Sequence, residues 1–437
     1  MRCIGANFAL AAGFSLAALL PCVAHAGNDD AVLLGNQAML TGGAVTAIVS
    51  DGASAWFNPA GLGHATRNQL DVTGSAYGLN VYKAKSLLVL PDGNSADAKV
   101  TDWILVPSVL SYTRELNENT VVSFGLFVPR TNDFELRTGV TTNLDQTVAA
   151  TLTTILNEYD YALSIAQRVG PGLRLGATLA GIYLSRRDFS QVALGTSGAT
   201  DQPFYTGSDY TAEGDYGLRM TVGLQWEPAA DWVLGVSLQS PIFTGWSDVS
   251  STRAVGSATP DAGLSAFQLN GQQGIVGVWD FTTPARLRVG VAYQLGATQL
   301  LLDGDVSTPI QLPAELPDAT FYDRDWVGNV RVGVLQQVSP GMTVGGGLFT
   351  DLSGRKQFKT QFAGVALGVE LESQHTADEK KRELTFSTSM GVRYAYGWGD
   401  VRGVQLVSDG MDYTQQPNGA PVTVHEVALN IGGGVDF

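Results

Sequence analysis

The chain has 437 residues, of which 44% are hydrophobic and only 15% charged, with a formal net charge of −15. An acidic balance of this size argues against nucleic acid and against a polybasic membrane-surface patch as partners. Both cysteines, Cys3 and Cys22, lie in the first 26 residues, so the remainder can form neither a disulfide nor a cysteine-ligated metal site.

Residues 1–26 carry one charge at Arg2, an apolar run from Phe8 to Leu20 and the small pair Ala24 and Ala26. This is the layout of a cleaved secretory signal. Pro21 before Cys22 is a poor fit to the small residue a lipoprotein signal needs there. Cleavage would remove only Arg2 among the charged residues, changing −15 to −16.

Residues 27–66 form a second region. The stretch GGAVTAIVSDGASAWFNPAGLG, Gly42 to Gly63, is rich in small residues, nearly uncharged, and ends in Trp56-Phe57 followed by Asn58-Pro59-Ala60-Gly61. It is neither a good strand nor a good helix, and Pro59 denies it a place in a sheet. Small residues suit a plug that packs inside a barrel without much anchoring.

Residues 67–437 read as strands. In GLRMTVGLQW the apolar Leu218, Met220, Val222, Leu224 and Trp226 oppose Arg219, Thr221, Gly223 and Gln225, and RLRVGVAYQL and VALNIGGGVDF repeat the split. Such period-two alternation fits either a soluble sandwich or a membrane barrel. The leader, the aromatic residues at strand ends (Trp226, Trp232, Tyr293, Trp326, Tyr394, Trp398) and the terminal Phe437, an assembly signal, favour the barrel.

Fourteen strands are predicted, near 70–82, 104–115, 119–129, 158–169, 172–186, 211–227, 231–244, 285–295, 298–307, 325–338, 341–351, 359–372, 384–400 and 421–437. The expected fold class is therefore all-β, a 14-stranded antiparallel transmembrane β-barrel with an N-terminal plug in its lumen. Asn117-Glu118, Gly170-Pro171, Pro228 to Ala230, Gly296-Ala297 and Ser339-Pro340 are tight turns, which belong on the periplasmic side, and the intervening connections of about 17 to 40 residues belong outside. The charge-rich segment Ser373 to Glu383 is a long exception on the short side.

One outer connection carries a helical pattern: Val140, Leu144, Val148, Leu152, Ile155 and Leu156 fall three and four apart and make one apolar stripe. That stripe would pack on the rim or meet an apolar ligand. On the strands, Gly176, Gly223, Gly235, Gly290, Gly333 and Gly391 share inward parity with Arg174, Arg219, Arg286, Arg288, Arg331 and Arg393. A barrel of this size must fill its interior with water, ligand or a plug.

Catalysis has little to build on. Outside the leader only His64, His375 and His425 remain, with no Ser or Asp at a recognisable spacing. The pairs Asp29-Asp30 and Asp303-Gly304-Asp305 lack the spacing of a calcium loop and read as solvated charge. Neither cofactor nor metal is expected.

The segment Gly42 to Gly63, the hairpin PSVLSYTRELNENTVVSFGLFVPRTNDFEL with Gly125 and Pro129, and TPARLRVGVAYQLGATQLLLDGDVS resemble the FadL/TodX/OmpP1 group of outer-membrane transporters for long-chain fatty acids and aromatic hydrocarbons. The resemblance implies a monomeric barrel of the Gram-negative outer membrane, inserted by the barrel-assembly machinery among outer-membrane lipids and passing a hydrophobic small molecule without an energy source. It places a hatch at Asn58, Pro59, Ala60 and Gly61 and a lateral opening at a kinked third strand, where Pro129 cannot donate to the ladder and Gly125 makes a bend cheap. Trp56 and Phe57, with Leu144, Val148, Leu152 and Ile155, are the pocket candidates. An adhesin or surface scaffold with working outer loops is the alternative, and a barrel lipase the third reading.

Overall fold

A computed structural model describes residues 33–437 apart from 91–92, 142–145, 197–203, 260–262, 275–282, 311–322, 357–358, 378–381, 402, 408–411 and 417. The leader therefore lies outside the described residues, as do Asp29-Asp30. Two short helices, α1 (Asn36–Thr41) and α2 (Ser54–Phe57), and a 3₁₀ turn (Pro59–His64) precede the sheet.

The strands are β1 (Gln69–Val89), β2 (Ser95–Asn117), β3 (Thr120–Thr141), β4 (Gln146–Gly170), β5 (Leu173–Thr196), β6 (Phe204–Ala229), β7 (Trp232–Gln239), β8 (Phe243–Thr259), β9 (Gly263–Gly274), β10 (Arg286–Leu295), β11 (Thr298–Ser307), β12 (Val327–Ser339), β13 (Met342–Asp351), β14 (Thr360–Ala377), β15 (Arg382–Val401), β16 (Val404–Val407), β17 (Asp412–Gln415) and β18 (Ala420–Asp436). Fourteen of them close a ring. The chain goes round antiparallel from β1 to β7, crosses to β10, continues to β15, and passes to β18, which pairs back onto β1. Closure pairs the backbone groups within the wall, where no water can reach them, apart from one interruption between β2 and β3.

The outward face is apolar over a fixed height. On β6, Leu218, Met220 and Val222 are exposed between Tyr216 and Trp226. Ten residues separate the two aromatics; at about 3.3 Å each and a tilt near 40°, the band is roughly 25 Å tall, the thickness a membrane barrel presents to lipid. Trp326 and Trp398 mark the outer girdle, Trp226 and Trp232 the inner one, and Phe437 stacks on Tyr112 at 6.5 Å.

All fourteen predicted strands are present, and the inner turns are tight, with positive φ at Gly172, Gly296 and Gly341. The outer connections differ from expectation, because much of their length is strand. β1 to β6 are 21 to 26 residues long, and β8 pairs on the outer half of β6 with β9 beside it.

The predicted apolar helix is likewise sheet: Val140 ends up in β3, and Val148, Leu152, Ile155 and Leu156 in β4. A spacing of four is an even number, so such a pattern suits one strand face as readily as one helix face. The surrounding threonines then tip the choice to strand. The long inner exception also shrinks, because β14 runs to Ala377 and pairs with β15 from Arg382.

Candidate functional site

The segment from Leu33 to Ala65 fills the lumen, and most of its residues are buried. The inward glycines explain how it fits. A Cβ on Gly235 of β7 would lie 2.5 Å from the Thr46 carbonyl carbon and 2.6 Å from Ala47 Cα, one on Gly290 of β10 2.8 Å from Thr46 Cβ, and one on Gly345 of β13 2.7 Å from the Leu40 oxygen. On Gly176 of β5 a Cβ would overlap the Pro59–Ala60 peptide, and on Gly223 of β6 it would stand 2.9 Å from Pro59 Cδ. Glycine is required there because the plug lies directly on the wall, its backbone meeting Gly176, Gly235 and Gly345 and side chains meeting Gly223 and Gly290. The row read as a thinned inner face is a mould of the plug.

The plug is held by more than small-residue packing. Asp303 of β11 accepts from both Val45 N (2.9 Å) and Thr46 N (2.7 Å). Ser237 donates to the Phe57 carbonyl at 2.6 Å, Gln225 to that of Val49 at 3.2 Å, and Arg168 to that of Gly63 at 2.7 Å. These bonds satisfy backbone groups that have no ladder to join.

Asp303 and Asp305, read as solvated, are in fact buried, and Asp305 pairs with Arg331. Their alternation with Gly304 on an inward-facing strand was the available signal.

The Asn58 to Gly61 turn forms the heart of this contact. Asn58 caps the 3₁₀ turn by accepting from Ala60 N at 3.2 Å, while its amide donates to the Thr46 carbonyl (2.8 Å) and to that of Leu224 on β6 (3.0 Å). One side chain thus ties the turn to itself, to an earlier loop and to the wall. Pro59 supplies a first residue whose missing N–H costs nothing. Gly61 is demanded by the Val49 backbone, against which a Cβ would collide. His64 follows, its Nε2 3.0 Å from Gln225 Oε1. Burial, helped by the nearby Arg174 charge, pushes its pKa down to about 4.

Above this turn, toward the outer end, a narrow crevice of about 20 Å³ separates the plug from the wall, lined by Trp56, Pro129, Arg130, Glu158, Arg219 and Arg286 among others. Trp56 lies under the Arg219 guanidinium, 4.2 Å from its ring centre, and Phe57 faces Arg288 at 5.6 Å. Both aromatics belong to one buried apolar cluster with Val109, Phe127, Ala162 and Ala180 of the wall. Trp56 therefore serves wall and crevice together, and Phe57 the packing.

Glu158 and Asp160 on β4 pair with Arg130 and Arg219, so the inward arginines come with acidic partners the sequence reading did not name. A separate apolar cluster, with Tyr82, Phe349, Phe362 and Val422, packs the β1, β13, β14 and β18 side.

Pro129 and Gly125 sit where the wall changes. β3 pairs with β2 only from Thr120 to Phe127, and β2 continues from Ser108 back to Ser95 along β1 alone among the described residues. Past Pro129, β3 pairs with β4 alone among the described residues, after a register shift between Phe127 and Arg130. Gly125 makes room for the Phe127 ring, 2.6 Å from where its Cβ would be. The result is a ladder gap beside the crevice, bridged further out where Thr138 donates to the Asp97 carbonyl at 3.1 Å.

The remaining pocket candidates scatter. Val148 is buried and Ile155 half-buried on β4, the side chain of Leu152 is not described, and Leu144 lies outside the described residues. None of them lines the crevice at Trp56 among the described residues. The histidines do not converge either: His425 lies 3.0 Å from the Tyr394 hydroxyl on the outer face, and His375 meets Phe386 edge-on. Among the described residues no group of His, Asp or Glu is placed to hold a metal.

Fold and site together define a plugged, 14-stranded transmembrane barrel with an interrupted wall. Solved structures share this architecture. A FadL homologue from Pseudomonas aeruginosa matches over 94% of this chain and 100% of its own, with a TM-score of 0.62 at 12% identity. The toluene transporter TodX of P. putida matches over 92% and 97% with a TM-score of 0.56 at 15% identity. The toluene transporter TbuX of Ralstonia pickettii matches over 92% and 98% with 0.55 at 15%. No family model matches the sequence, and no curated protein matches it in a sequence search. At these identities the likeness is one of fold.

Proposed function

We propose that this protein is a passive outer-membrane channel for hydrophobic small molecules. Ligand enters from the outer end, reaches the crevice beside Trp56, and leaves sideways through the β2–β3 gap when the plug shifts. The observation that carries the reading is the coincidence of three features at one place: an aromatic of the plug, a narrow crevice, and a β2–β3 ladder that ends at Phe127, two residues before Pro129. A polar pore would need none of them, since water-soluble cargo cannot exit into lipid.

The toluene transporters and the FadL homologue, as proteins of the same fold, support this cargo class. On the same reading residues 1–26 are the export signal, residues 27–66 the hatch, and the barrel works as a monomer placed in the outer membrane by the assembly machinery.

The test is uptake of labelled oleate and labelled toluene by a Gram-negative strain lacking its own channels for such compounds. Expression of this protein should raise uptake of at least one, while a polar solute such as a disaccharide stays unchanged. Equal uptake with and without the protein for both compounds refutes the proposal.

A further inference from the structure

The outer face carries a second concavity that transport does not use. It opens between β5, β6 and β8 just outside the outer girdle, has a volume of about 630 Å³, and is lined on the outward side by residues in three cross-strand rows. Tyr183, Tyr216 and Trp246 form the lowest row, Ser185, Gly214 and Asp248 the next, and Arg187, Ala212 and Ser250 the uppermost.

The middle strand presents only Gly214 and Ala212 above Tyr216, so it forms the floor of a trough. Tyr183 and Tyr216 stand 5.0 Å apart at its lower end.

Chemistry and position both select an occupant. Arg187 and Asp248 are exposed, and neither is in an ion pair among the described residues. A free guanidinium suits a phosphate through paired N–H donors, while Asp248, Ser185 and Ser250 offer partners to hydroxyls, and aromatic rings cover the flat face of a sugar. Leu173 to Tyr183 spans ten residues of β5, roughly 25 Å of membrane height at the usual rise and tilt, which puts the trough at head-group level. Directly below it the exposed Leu179, Leu218 and Met220 are free for acyl chains. The surface thus runs continuously from apolar wall to a polar trough whose outward-facing charges are one cation, Arg187, and one anion, Asp248.

We propose that this trough binds the phosphorylated sugar head group of an outer-leaflet glycolipid, with its acyl chains lying along β5 and β6. Such a lipid would stay with the barrel and brace the long outer ends of β5, β6 and β8, which lie outside the closed ring's most regular part.

The experiment measures retention by the full-length mature barrel in detergent, by native mass spectrometry, of three probes: bisphosphorylated lipid A, its dephosphorylated form, and phosphatidylglycerol. R187A should lower retention of bisphosphorylated lipid A about tenfold, the loss of one charge-assisted contact, and leave the dephosphorylated form unchanged. G214L should lower both, because it fills the trough; the Cβ itself is accommodated, with Tyr183 Cε2 at 3.7 Å. K85A, at an exposed cation on β1, should change nothing, and heat-modifiable migration confirms that each barrel is folded.

Wild-type retention of lipid A by R187A overturns the proposal even if G214L does not assemble. So does phosphatidylglycerol held as well as lipid A and lost in parallel, which would mark a general anionic-lipid surface.

Discussion

Replacing Gly235 by alanine separates the plug from the barrel in one step. The added methyl points inward and meets the Thr46 carbonyl carbon at 2.5 Å and Ala47 Cα at 2.6 Å, about an ångström inside ordinary contact. Both neighbours are backbone, and Thr46 N is itself held by Asp303, so neither can rotate away. Overpacking of this kind costs about 1–3 kcal/mol, which lowers the ratio of seated to displaced plug by roughly 5- to 150-fold. The wall should not suffer, since alanine is if anything easier than glycine in a strand.

Gly181→Ala on β5 is the matched control, with open space at its Cβ. The assays are single-channel conductance in a planar bilayer and chymotrypsin cleavage at Trp56-Phe57; trypsin is blind here because residues 33–66 contain no Lys or Arg. G235A should conduct more and be cut faster than wild type, and G181A should do neither. If the two variants behave alike in both assays, the wall glycines do not shape the plug's seat and the reasoning fails.

Asp303→Ala removes the acceptor of two backbone N–H groups and should loosen residues 45–46 by about 2–4 kcal/mol, leaving two buried donors unsatisfied; faster amide exchange at Val45 and Thr46 checks it. Acid should also unseat the plug through His64. Its pKa falls from 6.5 to about 4 in the seated state, so between those values the displaced plug takes up a proton that the seated one does not, and seating weakens as pH falls.

His64→Gln should abolish that loss of protease protection. It would leave the opposite contribution of Asp51, whose carboxyl burial pushes up and which therefore favours seating in acid. Pro129→Ala restores an N–H at the ladder gap; uptake should fall while conductance of the closed state stays the same, and unchanged uptake would remove Pro129 from the exit.

The barrel was legible because strand alternation is local: Leu218 to Trp226 reveal their faces without knowledge of any partner. The plug was legible for the opposite reason, since Gly42 to Gly63 fits no regular element and Pro59 excludes a ladder. What the sequence hid depends on pairing across the ring. Asp303 reads as a solvated acid until β11 is turned inward and Thr46 is brought to it. The apolar stripe ending at Leu156 misled because a spacing of four serves both periods. The crevice could not be read either, as Trp56, Pro129, Glu158 and Arg219 meet only when β3, β4 and β6 close around the plug.

Asn58 and Gly223 offer the most direct test of the gate. Asn58 Cγ lies 3.0 Å from where a Cβ on Gly223 would be, so cysteines at the two positions fall within disulfide reach, and the chain beyond residue 26 has no other thiol. The N58C/G223C protein can be compared with itself, bonded and reduced, in uptake of the hydrophobic compound that the wild type transports. A plug that must move predicts that the bonded form takes up none and that reduction restores uptake. Equal uptake by the two forms would contradict it.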